Sequence, residues 1–191
     1  MQLSGLVLIA FCFFSQKAQA QLVYKFVKVE CNGNASRVRN ESCSLKAINW
    51  NVGVLNGELV LLGTVWNPII QVQVFKKDYA NQFKPFLIDV KLHMCQVIER
   101  KSFIPYGVMM WKILKKYTNL NHSCPYSGHL YAKDGYLTSD VLPPFPQGVY
   151  IFSFMFSDEN STHTEYVGTL KLYTEVMEKV KSRKKPKAKG N

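Results

Sequence analysis

Two short His-x-Cys pairs contain the residue types that most often bind zinc. They are His93/Cys95 and His122/Cys124, and together they could supply the two histidines and two cysteines of a tetrahedral site. The alternative is that these cysteines form disulfides, as expected in an oxidising compartment. A spacing of one residue is also untypical of zinc ligands. We therefore expect no metal here.

The familiar motifs of enzymatic catalysis are missing from the sequence. It has no G-x-S-x-G nucleophile elbow, no phosphate-binding loop and no H-E-x-x-H pair. The four histidines are scattered, and acidic residues are few. We expect neither a catalytic residue nor a cofactor, and we do not expect an enzyme.

The first 20 residues have the pattern of a secretory signal peptide. Leu6–Phe14 is an unbroken apolar run, and Ala18-Gln19-Ala20 forms a small-x-small cleavage site. The run is too short to span a membrane. We expect residues 1–20 to be removed, so that the mature chain begins near Gln21 and is secreted into the extracellular space.

Cysteine and asparagine usage agrees with secretion. Without the signal peptide, four cysteines remain, and an even number predicts two disulfides. Three pairings can be drawn; we favour Cys31–Cys43 and Cys95–Cys124, because each pair encloses one loop or lobe. Four N-x-S/T sequons lie between predicted strands, where glycosylation is expected. Their asparagines are Asn34, Asn40, Asn121 and Asn160.

The net charge of +11 is concentrated at the end of the chain. Removing Lys17 and the seven basic residues from Lys179 onward leaves a net charge of +3 for the body of the protein. Residues 178–191 are predicted to form a disordered, solvated tail. The functional alternative is contact with an anionic membrane or an acidic glycan. Nucleic acid is not an expected partner.

The body, residues 21–177, alternates apolar and polar residues in the manner of β-strands. Leu22–Cys31 is the first predicted strand, and Val149–Ser157 and Glu165–Tyr173 are the last two. Seven to nine short strands separated by turns predict an all-β, two-sheet β-sandwich.

A β-hairpin is predicted at Asn56-Gly57, because Asn-Gly favours a two-residue turn. It would join Glu58–Trp66 to a preceding strand in which Ile48, Trp50 and Val52 share a face.

One helical lobe interrupts the strands between Cys95 and Tyr126. Apolar residues recur there at three- and four-residue spacing, and Pro105 suits a first helical turn. The residues of this apolar face are Ile104, Val108, Trp111, Leu114 and Tyr117.

Apolar side chains fill nearly every inward position of the predicted sandwich. For any single phenylalanine, a packed core is the simpler explanation. Sheets that separate would instead enclose a hydrophobic cavity suited to an acyl chain. The candidates for lining such a cavity are Leu61, Val72, Trp111, Phe152 and Phe154.

Two motifs resemble those of a known family. They are Asn121-His-Ser-Cys-Pro-Tyr126 and the proline-rich approach Leu142–Tyr150. With the signal peptide and the cysteines, the chain resembles secreted insect proteins of largely unknown function that include the CheB chemosensory proteins. That group is similar to the lipid-recognition domains typified by the ganglioside activator and the myeloid differentiation cofactor. The resemblance covers about Tyr24 to Tyr173.

The resemblance implies an immunoglobulin-like β-sandwich that holds a lipid or a pheromone-like ligand between its sheets. It carries over no catalytic residue, while the four cysteines match the positions of the family's cysteines. The basic tail is outside the pattern.

The expected function is therefore that of a secreted binding protein for an apolar ligand, acting in chemosensation or lipid handling. Its expected partners are an apolar small molecule or lipid, a membrane receptor, and an anionic surface contacted by the tail. The alternative function is an extracellular interaction module with a filled core that binds a receptor or a glycan.

Overall fold

Eight β-strands form the protein in the computed structural model, which describes residues 21–99, 105–139, 142–159 and 163–180. The predicted signal peptide, Ile104, Asn160 and the chain from Lys181 onward lie outside the described residues. The strands are β1 (Leu22–Gly33), β2 (Val38–Ala47), β3 (Gly53–Val65), β4 (Pro68–Lys77), β5 (Phe83–His93), β6 (Tyr126–Gly135), β7 (Gly148–Glu159) and β8 (Thr164–Glu178).

The strands form two antiparallel sheets. The larger sheet has the order β1-β8-β7-β4-β5, and the smaller has the order β2-β3-β6. Strands β1 and β2 are sheet edges that contact each other across the sandwich, as do β1 and β3. The predicted all-β, two-sheet sandwich is confirmed, and the strand count falls within the predicted range.

The predicted hairpin at Asn56-Gly57 is wrong, because both residues lie inside β3. The turn between β2 and β3 comes earlier, where the N–H of Ile48 donates to the carbonyl of Val52 at 3.0 Å. The side chain of Asn49 accepts the N–H of residue 51 at 2.8 Å, which forms an Asx-turn. Ile48 therefore belongs to the turn and not to a strand face.

The described residues between β5 and β6 contain two helices, which form the lobe. They are α1 (Met94–Ile98) and α2 (Pro105–Tyr117), so the predicted helix is confirmed. Its inward face was predicted in part: Leu114 packs against the core, but Val108 is exposed, whereas Gly107 and Met110 are buried. Gly107 permits this orientation, because a Cβ there would lie only 2.9 Å from Cγ2 of Val97 on α1.

Two disulfides link the sheets at opposite edges of the sandwich. Cys31 of β1 bonds to Cys43 of β2, and Cys95 of α1, just after β5, bonds to Cys124, just before β6. Both favoured pairings are thus present. Disulfides are typical of proteins from oxidising compartments.

A partly buried ion cluster joins the residue before β2 to β7 and β8. Nη2 of Arg37 lies 3.2 Å from Oδ2 of Asp158, and its Nη1 lies 2.7 Å from Oε2 of Glu165. The other oxygen of Asp158 accepts the N–H groups of Trp66 and Asn67 in the turn between β3 and β4, at 3.0 and 2.9 Å. One carboxylate therefore fixes both the ion pair and the turn.

Three of the four sequon asparagines lie within the described residues, and their environments differ. Asn34 and Asn121 lie in loops, but Asn40 lies within β2, so its predicted position between strands is wrong. It sits at a register irregularity with a φ of 53°, and its side chain is exposed. Glycosylation itself stays a prediction. Within the described ranges, no helix is long and apolar enough to cross a membrane.

Candidate ligand cavity

A cavity of about 300 Å³ lies between the two sheets. Its lining includes members of two clusters of buried apolar residues, one centred on the larger sheet and one that includes Leu61, Val65 and Tyr126 of the smaller sheet. Apolar side chains form most of both walls. The lining of the larger sheet includes Phe26, Ile70, Phe154, Phe156, Leu170 and Leu172.

Small residues at inward positions help to create this space. On β3, Gly57 follows the same alternation as Leu55 and Leu59 and is paired with Cys43 of β2 and Ala132 of β6. This cross-strand row therefore projects little side-chain volume into the cavity.

A second row of small residues lies on the larger sheet. Gly168 of β8 is paired with Gly33 of β1, and both line the cavity. A Cβ at Gly168 would lie 3.2 Å from the carbonyl oxygen of Asn32, so the close approach of the backbones also favours glycine here.

Helix α2 closes one side of the cavity. Met110, Ile113, Leu114 and Tyr117 line it at helical spacing, and Met94 of α1 lines it too. The lining extends to solvent on another side beside the Cys31–Cys43 disulfide, where Glu41 and Ser42 are exposed.

A polar group lies where α2 meets the segment after β6. The rings of Tyr117 and Tyr136, which both line the cavity, have centroids 5.5 Å apart. Nζ of Lys116 lies 4.9 and 5.3 Å from the two ring centroids, within the range of cation–π attraction. Burial raises the pKa of Tyr117 above its ordinary value of 10, so its hydroxyl is protonated at neutral pH with or without this shift. This group can donate hydrogen bonds beside the apolar lining.

The structure brings two of the five predicted lining residues into the cavity. Leu61 and Phe154 line it from opposite sheets. Val72 and Phe152 are buried in the cluster of the larger sheet, outside the lining, so their placement in the cavity is corrected. Trp111 is half-buried on α2 and is also outside the lining, which uses Met110 and Leu114 instead.

The proline-rich segment before β7 packs on the core beside the cavity. Phe145 is buried, and the hydroxyl of Tyr24 donates to the carbonyl of Pro143 at 2.7 Å. Tyr150 is fully buried, and its hydroxyl donates to the carbonyl of Pro146 at 2.7 Å. These bonds satisfy two phenols that would otherwise be costly to bury.

No group of three or more His, Cys, Asp or Glu side chains suited to a metal occurs within the described ranges. The residues of the two His-x-Cys pairs make other bonds and contacts. Cys95 and Cys124 are bonded to each other and therefore offer no thiolates. Nδ1 of His122 lies 2.6 Å from the carbonyl oxygen of Ser123, and Nδ1 of His93 lies 3.6 Å from a carboxylate oxygen of Glu159.

The fold and the cavity together define a disulfide-linked β-sandwich with an apolar space between its sheets. Residues 70–152 match a protein family described as "Protein of unknown function (DUF1091)". The match runs from β4 through both helices and β6 into β7. No curated protein matches the chain.

Proposed function

We propose that this protein is a secreted carrier that holds an apolar ligand, such as a lipid, a hydrocarbon or a pheromone-like molecule, between its two sheets. The observation that carries the proposal is the apolar cavity of about 300 Å³ closed by α2. The volume is at the lower end of the range of about 300–1,000 Å³ typical of small-molecule sites.

The energetic cost of an empty cavity supports occupancy. At about 24 cal/mol per Å³, a space of 300 Å³ left fully dry would lower stability by at most about 7 kcal/mol relative to a filled one, and water that enters at the open side reduces this cost. A typical domain has a net stability of only about 5–15 kcal/mol. An apolar ligand would offset part of this cost and remain shielded from water by the sheets.

The biological setting follows from the sequence resemblance. Chemosensation or lipid handling in an insect, with delivery to a membrane receptor, is the setting that it implies. The N-terminal pattern and the two disulfides agree with an extracellular carrier.

The direct test is mass spectrometry of an organic extract from the protein secreted by insect cells. A secreted domain of similar size, purified in parallel, is the control. We expect one class of apolar compound at close to stoichiometric amount, and uptake of a fluorescent fatty-acid probe by protein from which this compound has been removed.

A pair of neighbouring substitutions locates the binding site. Ala132 lines the cavity, whereas Lys133 is exposed on the opposite face of β6. We expect Ala132→Phe to reduce probe uptake about tenfold or more, because the ring occupies ligand space, and Lys133→Phe to leave uptake unchanged. An empty extract and no uptake by the unsubstituted protein would instead favour the filled-core interaction module.

A further inference from the structure

The turn between β2 and β3 exposes two large apolar side chains. Ile48 is 54% exposed and Trp50 is 69% exposed. Nζ of Lys25 lies 4.9 Å from the centroid of the Trp50 ring. Neither Ile48 nor Trp50 lines the cavity, so the ligand site does not account for their exposure.

The end of the described chain is fixed against this turn. The Nδ2 of Asn51 donates to the carbonyl of Val180 at 2.9 Å, and the N–H of Val180 donates to the Oδ1 of Asn51 at 2.9 Å. Val180 is itself 48% exposed. Ile48, Trp50 and Val180 therefore form one exposed apolar surface, which we name the Trp50 tip.

The sequence beyond Val180 adds positive charge at this place. Lys181–Asn191 contains six Lys or Arg residues and no acidic residue. On the strands that lead to the tip, the nearest basic residues are Lys25, Lys46 and Lys179. The acidic residues Glu175 and Glu178 of β8 offset part of this positive charge. The folded surface is thus close to balanced, and most of the positive charge is in the sequence after Val180.

We propose that the Trp50 tip docks on the surface of an anionic lipid bilayer. Trp is favoured at membrane–water interfaces, where its ring is partly apolar and its N–H stays hydrated. Basic residues close to an anionic leaflet add attraction that falls with ionic strength.

The combination of the two features selects a bilayer over a soluble polyanion. An acidic glycan would attract the basic residues but offers no apolar interior for Ile48 and Trp50. A bilayer takes up both the apolar side chains and the charge, and stable attachment at membranes commonly needs two such signals.

The structure offers a matched control for Trp50. Trp66 is 64% exposed and lies just after the last residue of β3, whereas Trp50 lies before its first residue. At the usual rise per residue, the two ends of this strand are about 40 Å apart. Its side chain can be removed without touching the backbone N–H that donates to Asp158. Trp50→Ser and Trp66→Ser therefore delete the same exposed ring from opposite ends of one strand.

The test is flotation of the full secreted protein with vesicles of phosphatidylcholine alone or of phosphatidylcholine and phosphatidylserine in equal parts. We expect binding only to the mixed vesicles, reduced about tenfold by Trp50→Ser or Ile48→Ser and unchanged by Trp66→Ser. Truncation after Val180 should reduce binding by about 100-fold at low salt and by less at high salt.

Fluorescence provides a second readout of docking. In a Trp66→Phe/Trp111→Phe background, the emission of Trp50 should shift to the blue on mixed vesicles and be quenched by brominated acyl chains. Vesicle binding that is insensitive to Trp50→Ser, or binding only to heparin through the tail, would overturn the proposal and favour an acidic glycan. An empty ligand cavity would leave the prediction unchanged, because the tip and the cavity share none of these residues.

Discussion

Replacement of Asp158 by alanine should be among the most destabilising single changes in the protein. The carboxylate is buried, with its side chain only 9% exposed, and it is the shared acceptor of the ion cluster and of the turn between β3 and β4. Asp158→Ala leaves the N–H groups of Trp66 and Asn67 without this acceptor. It also removes one of the two carboxylates that face Arg37, whose side chain is 16% exposed.

The size of the expected loss of stability follows from these contacts. A buried polar group that loses its partner costs about 1–3 kcal/mol. Breaking a buried ion pair by removing one partner costs about 3–5 kcal/mol. Solvent and the remaining carboxylate of Glu165 screen Arg37 in part, and relaxation of the turn lets water reach the freed N–H groups. We therefore expect the free energy of unfolding to fall by about 3–5 kcal/mol.

Urea denaturation with the disulfides intact measures this loss. Asp158→Asn is the first control, because it removes the charge but retains an acceptor oxygen for the turn, and it should cost less than Asp158→Ala. Glu165→Gln is the second; that carboxylate is more exposed, so its loss should cost about 1 kcal/mol or less. A loss below about 1 kcal/mol for Asp158→Ala would refute the assigned role of this carboxylate.

Two further predictions concern stability. Burial raises the pKa of Tyr126 to about 12. The stabilising contribution of its protonated hydroxyl is therefore complete below about pH 10 and is lost as the pH rises through about 12. Tyr126→Phe should make the alkaline loss of stability smaller, as measured by denaturation at pH 9 and 11. Gly107→Val should lower the free energy of unfolding by about 1–3 kcal/mol, because the new side chain overlaps Val97. Gly63→Val is the control and should cost much less, because no atom lies within 4 Å of the added Cβ. An equal cost for the two glycine variants would contradict the close packing of α1 on α2.

The sequence predicts the strands well because apolar alternation persists over long stretches. It fails at Asn56-Gly57, where a strong local turn signal lies inside a strand of 13 residues. Pairing on both sides of β3 overrides the local preference, since β2 and β6 supply its hydrogen bonds. The observed turn depends on an Asx bond from Asn49, a weaker signal in the sequence.

The candidate cavity is predicted less completely, because alternation assigns a side chain to a face but not to a neighbour. Phe152 and Phe154 point to the same side of β7, yet only Phe154 reaches the cavity. The difference depends on what lies opposite each ring: Phe145 packs against Phe152, with ring centroids 5.7 Å apart. Such long-range neighbours are not encoded in the periodicity of one strand.

The positions of the two disulfides limit how the protein can accommodate a ligand. Cys31–Cys43 joins one pair of sheet edges, and Cys95–Cys124 joins the opposite pair through the ends of α1 and β6. The sheets therefore cannot move apart at either edge while both bonds are intact. A ligand longer than the gap has to extend out of it instead of widening it, so the oxidised protein should discriminate among ligands by width more strictly than by length.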